Sequence, residues 1–359
     1  MSQATPPRRN RPYRVVQWAT GNIGTRALRT VIEHPGLELV GLYVHSEAKA
    51  GRDAGELCGL PAVGVKATRS IDEILALRAD CVLYMQQGAN IDDLCRLLAA
   101  GVNVVTTRTE FHHPARVDPA VRARIEDACR QGNSSIHSTG SSPGFITEAL
   151  PFVLTSLQRR LDRYRISEFA NMAPRNSPDL LFNIMGYGRA PNPQVDAGRA
   201  HHLREAFGGS LQLVADTLGL PLDRIEARGD VATARRTTKI AAGVIEAGTV
   251  AAQRTIVSCM RRGEPLLSFT ATWYCTTDID ADWALRPDGW HVVVEGDTPL
   301  DVSIGFPVPP ERWAATSPGL TAHRAVNAIP YVCEAAPGIR SCADLPQIIA
   351  DLGGPHDRA

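Results

Sequence analysis

A chain of 359 residues, 44% hydrophobic and 21% charged, can bury a sizeable core and is long enough for two domains. Its formal net charge is +0, which removes any global electrostatic pull toward nucleic acid or a membrane surface. No apolar run approaches the ~18 residues a membrane helix needs. No apolar signal region follows the Pro- and Arg-rich opening segment, so a cytoplasmic protein without membrane or nucleic-acid partners is expected. The eight cysteines form no CxxC pair and no zinc spacing. Most sit in apolar runs and read as reduced, buried thiols.

In chain order, residues 1–12 are expected to form a flexible tail. Arg14–Trp18 reads as a short strand, and Thr25–His34 as a helix with Ala27, Leu28, Val31 and Ile32 on one face. Pro35-Gly36 stops that helix, and Leu37–Val44 is the next strand. This is a βαβ unit of about 30 residues, the size of a mononucleotide-binding half. Ser70 then caps a helix over Ile71–Leu77, and Cys81–Met85 is a third strand. Ile91–Ala100 is helical, Val102–Thr106 extended, Pro119 opens a helix running to Cys129, and Ser135–Ser138 is a last short strand. Such alternation predicts a doubly wound parallel sheet of the Rossmann type.

After Gly144 the texture changes. One long helix is expected over Ile146–Leu161 and a strand over Arg165–Met172. A Pro/Asn/Gly-rich stretch follows, then a helix around 200–218. From Ile225 to Phe306 the periodicity is close to two, with strand candidates at Thr237–Ile245, Val250–Arg261, Leu266–Tyr274 and His291–Glu295. This predicts an α+β domain with a mainly antiparallel sheet. Thr321–Glu334 reads as a helix, interrupted at Pro330, that returns to pack on the first domain. The expected boundaries are 1–12, 13–145, 146–315 and 316–359.

The segment Ala19-Thr20-Gly21-Asn22-Ile23-Gly24 has the register of a G-x-G-x-x-G fingerprint with alanine in place of the first glycine. Gly21 would admit the pyrophosphate of a dinucleotide, Gly24 would allow close helix packing, and the helix start would offer free N–H groups. Thr20, Gly21, Asn22, Ile23 and Gly24 are therefore cofactor candidates. At the end of the second strand stand His45, Ser46 and Lys49, with the nearest acid, Glu47, displaced beyond them. A hydroxyl, an imidazole and an ammonium suit a 2′-phosphate, so NADP is the expected cofactor and NAD the alternative. Further strand ends carry Gln87 and then Thr107, Arg108, Thr109 and Glu110. Ligands of open α/β sheets bind at this edge, so Glu110 is a candidate general acid/base if its pocket is dry. His112 and His113 follow with no further ligands nearby, so no metal site is expected. Ser138–Phe145 is a dense turn of hydroxyls and glycines; it lacks the G-x-S-x-G register of a serine hydrolase.

Gly21-Asn22-Ile23-Gly24, Gly51-Arg52-Asp53-Ala54-Gly55, Thr109-Glu110-Phe111, Thr139–Phe145, Met185-Gly186-Tyr187-Gly188 and Val326-Asn327-Ala328-Ile329-Pro330 occur in this order. In that respect the chain resembles the 2,4-diaminopentanoate dehydrogenase family and the native amine dehydrogenases, which share the N-terminal domain type of dihydrodipicolinate reductase. The resemblance covers nearly everything after residue 12. It implies a nucleotide domain, a domain for substrate and dimerisation, and a homodimer. It also implies NAD(P)-dependent reductive amination of a small carbonyl compound by ammonia, and the reverse oxidative deamination. Glu110 would bind ammonia and relay protons. Thr139, Gly140 and Asn327 join the cofactor candidates by matched position, and Phe145, Phe169, Met172, Leu181, Met185 and Tyr187 the substrate pocket. Arg175 is the one arginine within the pocket motifs, so a substrate without a carboxylate is expected. Family members often carry Gly-Thr-Gly and Asn-Pro-Gly-Phe where this chain has Ser138-Thr139-Gly140 and Ser142-Pro143-Gly144-Phe145. The alternatives are an imine or carbonyl reductase related to dihydrodipicolinate reductase, and a non-enzymatic NADP-binding sensor.

Overall fold

The computed structural model describes residues 11–353, apart from the side chain of Pro310; the expected tail lies outside the described residues as far as residue 10. Two compact units are present. One contains the described residues up to Phe145 and those from Ser317 onward; the other is Ile146–Thr316.

The first unit opens with β1 (Tyr13–Trp18), α1 (Asn22–Glu33) and β2 (Leu37–Tyr43). A four-residue helix, α2 (Ala54–Leu57), and a two-residue strand, β3 (Ala67–Thr68), follow. Both are too short for periodicity to reveal. Then come α3 (Ile71–Ala76), β4 (Cys81–Tyr84), α4 (Ile91–Ala99), β5 (Asn103–Thr106), α5 (Pro119–Gly132) and β6 (Ser135–Ser138). Side chains that compete with the helical backbone elsewhere start these helices. Ser70 Oγ accepts from Glu73 N at 3.3 Å, Asn90 Oδ1 from Asp92 N at 3.1 Å, and Asp118 Oδ1 from Ala120 N at 3.0 Å. The strands pair in parallel in the order β3-β2-β1-β4-β5-β6. The order reverses between β1 and β4, and the crevice beyond their carboxyl ends is where this architecture binds ligands.

The second unit begins differently from the expected long helix. Ser142 (φ −153°), Pro143 and Gly144 (φ 120°) are non-helical, and α6 (Leu150–Thr155) ends well before Leu161. Leu161 instead opens β7 (Leu161–Asn171). Leu154, Leu157 and Leu161 mimic a helical face in sequence, but Arg159 N and Arg160 N both donate to Asp297 Oδ1, and this pins the entry to β7 beside the end of the strand Gly289–Gly296. Helix α7 (Pro193–Thr217) is longer than expected, because Asn192 caps it with Pro193 in its first turn. The strands are β8 (Arg224–Thr233), β9 (Thr238–Ile240), β10 (Gly243–Ile245), β11 (Val250–Arg261), β12 (Glu264–Tyr274), β13 (Gly289–Gly296) and β14 (Leu300–Gly305). The single strand expected over Thr237–Ile245 is a two-strand hairpin, turned at a glycine with φ 150°. The main sheet runs β14-β13-β7-β12-β11-β8, antiparallel except between β7 and β12. Phe207 of α7 stacks on Phe269 of β12 at 4.0 Å between ring centroids.

The chain ends with α8 (Pro310–Cys333) and β15 (Gly338–Arg340), which adds to β6 as the seventh strand of the parallel sheet. Pro330 does not break α8. Val326, Ile329 and Val332 pack into the core face formed by Val15, Leu83 and Val105, so burial outweighs the lost backbone donor. Ser135 Oγ donates to Val332 O at 2.6 Å, which ties the helix to β6.

Candidate active site

The glycine turn leaves β1 through Ala19, whose φ of 71° is left-handed. The position that glycine holds in the usual fingerprint thus keeps its conformation with an alanine in it, at a cost of about 1–2 kcal/mol. Gln17, buried beneath the turn, holds it by donating Nε2 to Ala19 O at 2.9 Å. A Cβ on Gly24 would strike Ala19 O, whereas a Cβ on Gly21 would meet nothing within 4 Å. Gly21 therefore borders open space and Gly24 borders backbone. α1 has no side-chain cap at Gly21 and no acid in its first turn, so nothing competes with an anion there. Asn22 is exposed with Oδ1 on Arg26 Nη1 (2.6 Å), and Ile23 is half-buried against the core. This arrangement fits a dinucleotide pyrophosphate.

Lys49 reaches back over this turn. Its Nζ donates to Thr20 O at 3.1 Å and to Thr20 Oγ1 at 3.0 Å. Its cation thus lies beside the glycine turn and is displaced from the end of β2, where the sequence suggested it. Ser46 and His45 are exposed at that end. Gln86 Oε1 accepts from Trp18 Nε1 at 2.7 Å and lies 2.8 Å from His45 Nε2. Indole N–H only donates, so this atom of Gln86 is oxygen and His45 carries its proton on Nε2. Trp18, Tyr43 and Tyr84 are paired neighbours on adjacent strands. Tyr43 stacks on Trp18 at 3.7 Å, and Tyr84 lies 5.6 Å away on the other side. Burial pushes the Tyr84 phenol up to about 12. Gln86 is the residue that sequence reasoning missed here; the neighbouring candidate, Gln87, is exposed.

Glu110 lies just past β5, on the same carboxyl edge as the glycine turn. It is not in a dry setting within its unit: its side chain is 45% exposed, and Oε1 pairs with Arg108 Nη2 at 2.7 Å. The surface position of the short turn Thr109–Phe111 exposes it, while Phe111 alone turns inward. Arg108 Nε is buried without a partner among the described residues. The Thr107–Glu110 segment is bonded to the Ser138 turn. Ser138 Oγ donates to Arg108 O at 2.6 Å, and Thr139 N donates to Thr106 O at 2.9 Å. Thr139 and Gly140 are buried, and the turn closes through Phe145 N to Gly140 O at 2.8 Å. Ser141 Oγ meets Thr321 Oγ1 of α8 at 2.7 Å. Ser142 keeps a buried hydroxyl without a partner among the described residues. Asn327, on α8, is half-buried with its carboxamide unbonded to any described residue. Buried His112 and His113 belong to no metal-binding group, and among the described residues no cluster of three His, Cys, Asp or Glu can hold one.

In the second unit, Met172, Leu181 and Tyr187 are buried in one apolar cluster, with Met185 packed against it. Phe169 is not among them. On β7 it alternates with Ala170, which does join the cluster, so Phe169 faces the other side of the sheet. Phe145 belongs to the first unit. Tyr187 is sealed in: its hydroxyl has no partner among the described residues, and burial raises its pKa well above the usual phenol value. It acts here as core and not as an exposed wall.

Residues 15–134 match the family model for the dihydrodipicolinate reductase N-terminus, and residues 199–358 that for the 2,4-diaminopentanoate dehydrogenase C-terminal domain. An amine dehydrogenase of Streptomyces virginiae is 30% identical over 343 residues, covering 92% of this chain and 95% of that protein. A 4-hydroxy-tetrahydrodipicolinate reductase of Anaeromyxobacter dehalogenans is 32% identical over 119 residues, which is 33% of this chain and 42% of the relative. Among solved structures, an amine dehydrogenase from Mycobacterium smegmatis shares the fold with a TM-score of 0.76 at 21% identity, covering 95% of this chain and 98% of that one. No helix among the described residues is long and apolar enough to cross a membrane.

Proposed function

The chain belongs to the amine dehydrogenase family and is an NAD(P)-dependent oxidoreductase acting on CH–NH2 groups; on that footing we propose the cofactor, the acid–base residue and the substrate class. It aminates a small ketone or aldehyde with ammonia and runs the reverse deamination. NADP(H) is the preferred cofactor, Glu110 is the acid–base group, and the carbonyl compound is largely apolar. The chain acts in the cytoplasm as a homodimer. The single observation that carries the chemistry is Glu110 beyond β5 on the same sheet edge as the open cradle at Gly21. The reductase relative matches only the nucleotide domain and gives no support to a reductase chemistry.

Bound NADPH would supply the hydride that reduces the imine carbon. Everything else falls to the chain. Glu110 Oε1, which now accepts from the Arg108 guanidinium, would accept from an ammonium ion in its place. Taking a proton from that ion frees ammonia to add to the carbonyl. Returning the proton to the carbinolamine hydroxyl lets water leave. Asn327, Thr139 and Gly140 would orient the nicotinamide end of the cofactor. The test is Glu110→Gln, which keeps shape and removes the proton acceptor. Amination should fall about a hundredfold or more, with NADP(H) affinity retained. Near wild-type amination in that variant contradicts the assignment.

A further inference from the structure

The NADP(H) reading needs a group that recognises the 2′-phosphate, and the side chain best placed by sequence is engaged elsewhere. Lys49 is committed to Thr20. His45 is tethered to Gln86 through Nε2. The topology supplies another cation. β3 lies beside β2, with Tyr43 opposite Thr68, and Val44 N donates to Thr68 O at 2.9 Å. The next residue, Arg69, therefore emerges at the edge where His45 and Ser46 emerge. The segment after β2 turns back along the same strand: Gly51 N donates to Ala67 O at 2.8 Å, and Asp53 bridges Lys66 in antiparallel sense. Arg69 is thus flanked by the end of β2 on one side and by the 46–51 loop on the other. It is exposed and makes no ion pair or side-chain hydrogen bond with any described residue. Burial and the nearby Asp93 carboxylate raise the Tyr43 phenol above its usual value, and the Arg69 charge works against that rise. Ser46, across the gap, is exposed and its hydroxyl caps nothing.

We propose that Arg69 and the Ser46 hydroxyl form the subsite for the 2′-phosphate of NADP(H), while Lys49 neutralises the pyrophosphate. A guanidinium presents paired donors that match a phosphate dianion, and an unpaired one pays nothing to leave a prior partner. The assignment rests on the NADP(H) reading, and the test separates the two. Equilibrium binding of NADP+, NAD+, 2′,5′-ADP and 5′-AMP is measured by calorimetry on the full chain, on Arg69→Met and on Lys49→Met. Arg69→Met should lose roughly tenfold or more in affinity for NADP+ and 2′,5′-ADP, and leave NAD+ and 5′-AMP within about twofold. Lys49→Met should weaken NADP+ and NAD+ alike. A wild type that favours NAD+ overturns the cofactor reading and this subsite with it. A wild type that favours NADP+, with that preference intact in Arg69→Met, overturns the subsite alone. Arg69 makes no ion pair or side-chain hydrogen bond with any described residue, so Arg69→Met should keep its melting temperature, and an unchanged value shows that a lost affinity is not lost folding.

Discussion

The carbonyl oxygen of Ala19 occupies the space that a side chain on Gly24 would need. The two residues are locked together because Ala19, at φ 71°, turns its carbonyl under the first turn of α1. Gly21, between them, meets nothing. The glycines thus have separate physical tasks, and the difference is measurable. Gly24→Ala should destabilise the chain by about 3 kcal/mol, because the obstructing atom is backbone and cannot rotate away. Gly21→Ala should fold with stability within about 0.5 kcal/mol of wild type. It should still lose roughly tenfold or more in dinucleotide affinity, since its new methyl fills the cradle. Thermal unfolding and cofactor titration of the two variants check both statements.

Ala19 itself carries a left-handed backbone that glycine adopts freely. Ala19→Gly should therefore raise stability by roughly 0.5–1 kcal/mol, the relief of strain exceeding the added freedom of the unfolded chain. A lower melting midpoint in urea would contradict the strain.

Ser138 bonds the segment bearing Glu110 to the turn that follows β6. Ser138→Ala leaves the Arg108 carbonyl short of a buried donor and should cost about 1–3 kcal/mol of stability. Because Glu110 loses its anchor, the catalytic constant for amination should fall while NADP(H) affinity holds. Equal losses in both would assign Ser138 to folding alone.

The loop after β2 depends on one carboxylate. Asp53 accepts from Gly55 N, Val63 N and Gly64 N at 2.8, 2.9 and 2.8 Å, and the bond from Val63 is the largest of the effects holding its pKa below the usual carboxylate value. A depressed folded value means that this contribution to stability is complete above the unfolded value of about 3.9 and is lost as pH falls through the folded value. Hydrogen exchange in residues 51–64 should rise selectively under acid, and Asp53→Asn should show the raised exchange already at neutral pH.

Much of the framework around the candidate site was legible because it is local. The strand, turn and helix around Gly21 and Gly24 follow from residue types at fixed spacing, even with alanine at position 19. The same holds for the strand ends that carry His45, Thr107 and Glu110. What stayed hidden depends on partners far along the chain. Lys49 looks free in sequence and is bound to Thr20; Arg69 looks like a loop residue and lands beside β2 only because β3 pairs there. Phe169 shares a motif with Met172, yet strand alternation turns it to the opposite face. The exposure of Glu110 and its pairing with Arg108 likewise depend on a three-residue turn with no periodic signature.

Whether ammonia is a co-substrate is tested by NADPH oxidation with a small ketone or aldehyde as ammonium is varied from zero to saturation. Oxidation should saturate with ammonium, yield the amine, and vanish without it. An ammonium-independent rate that yields the alcohol would contradict a co-substrate role for ammonia.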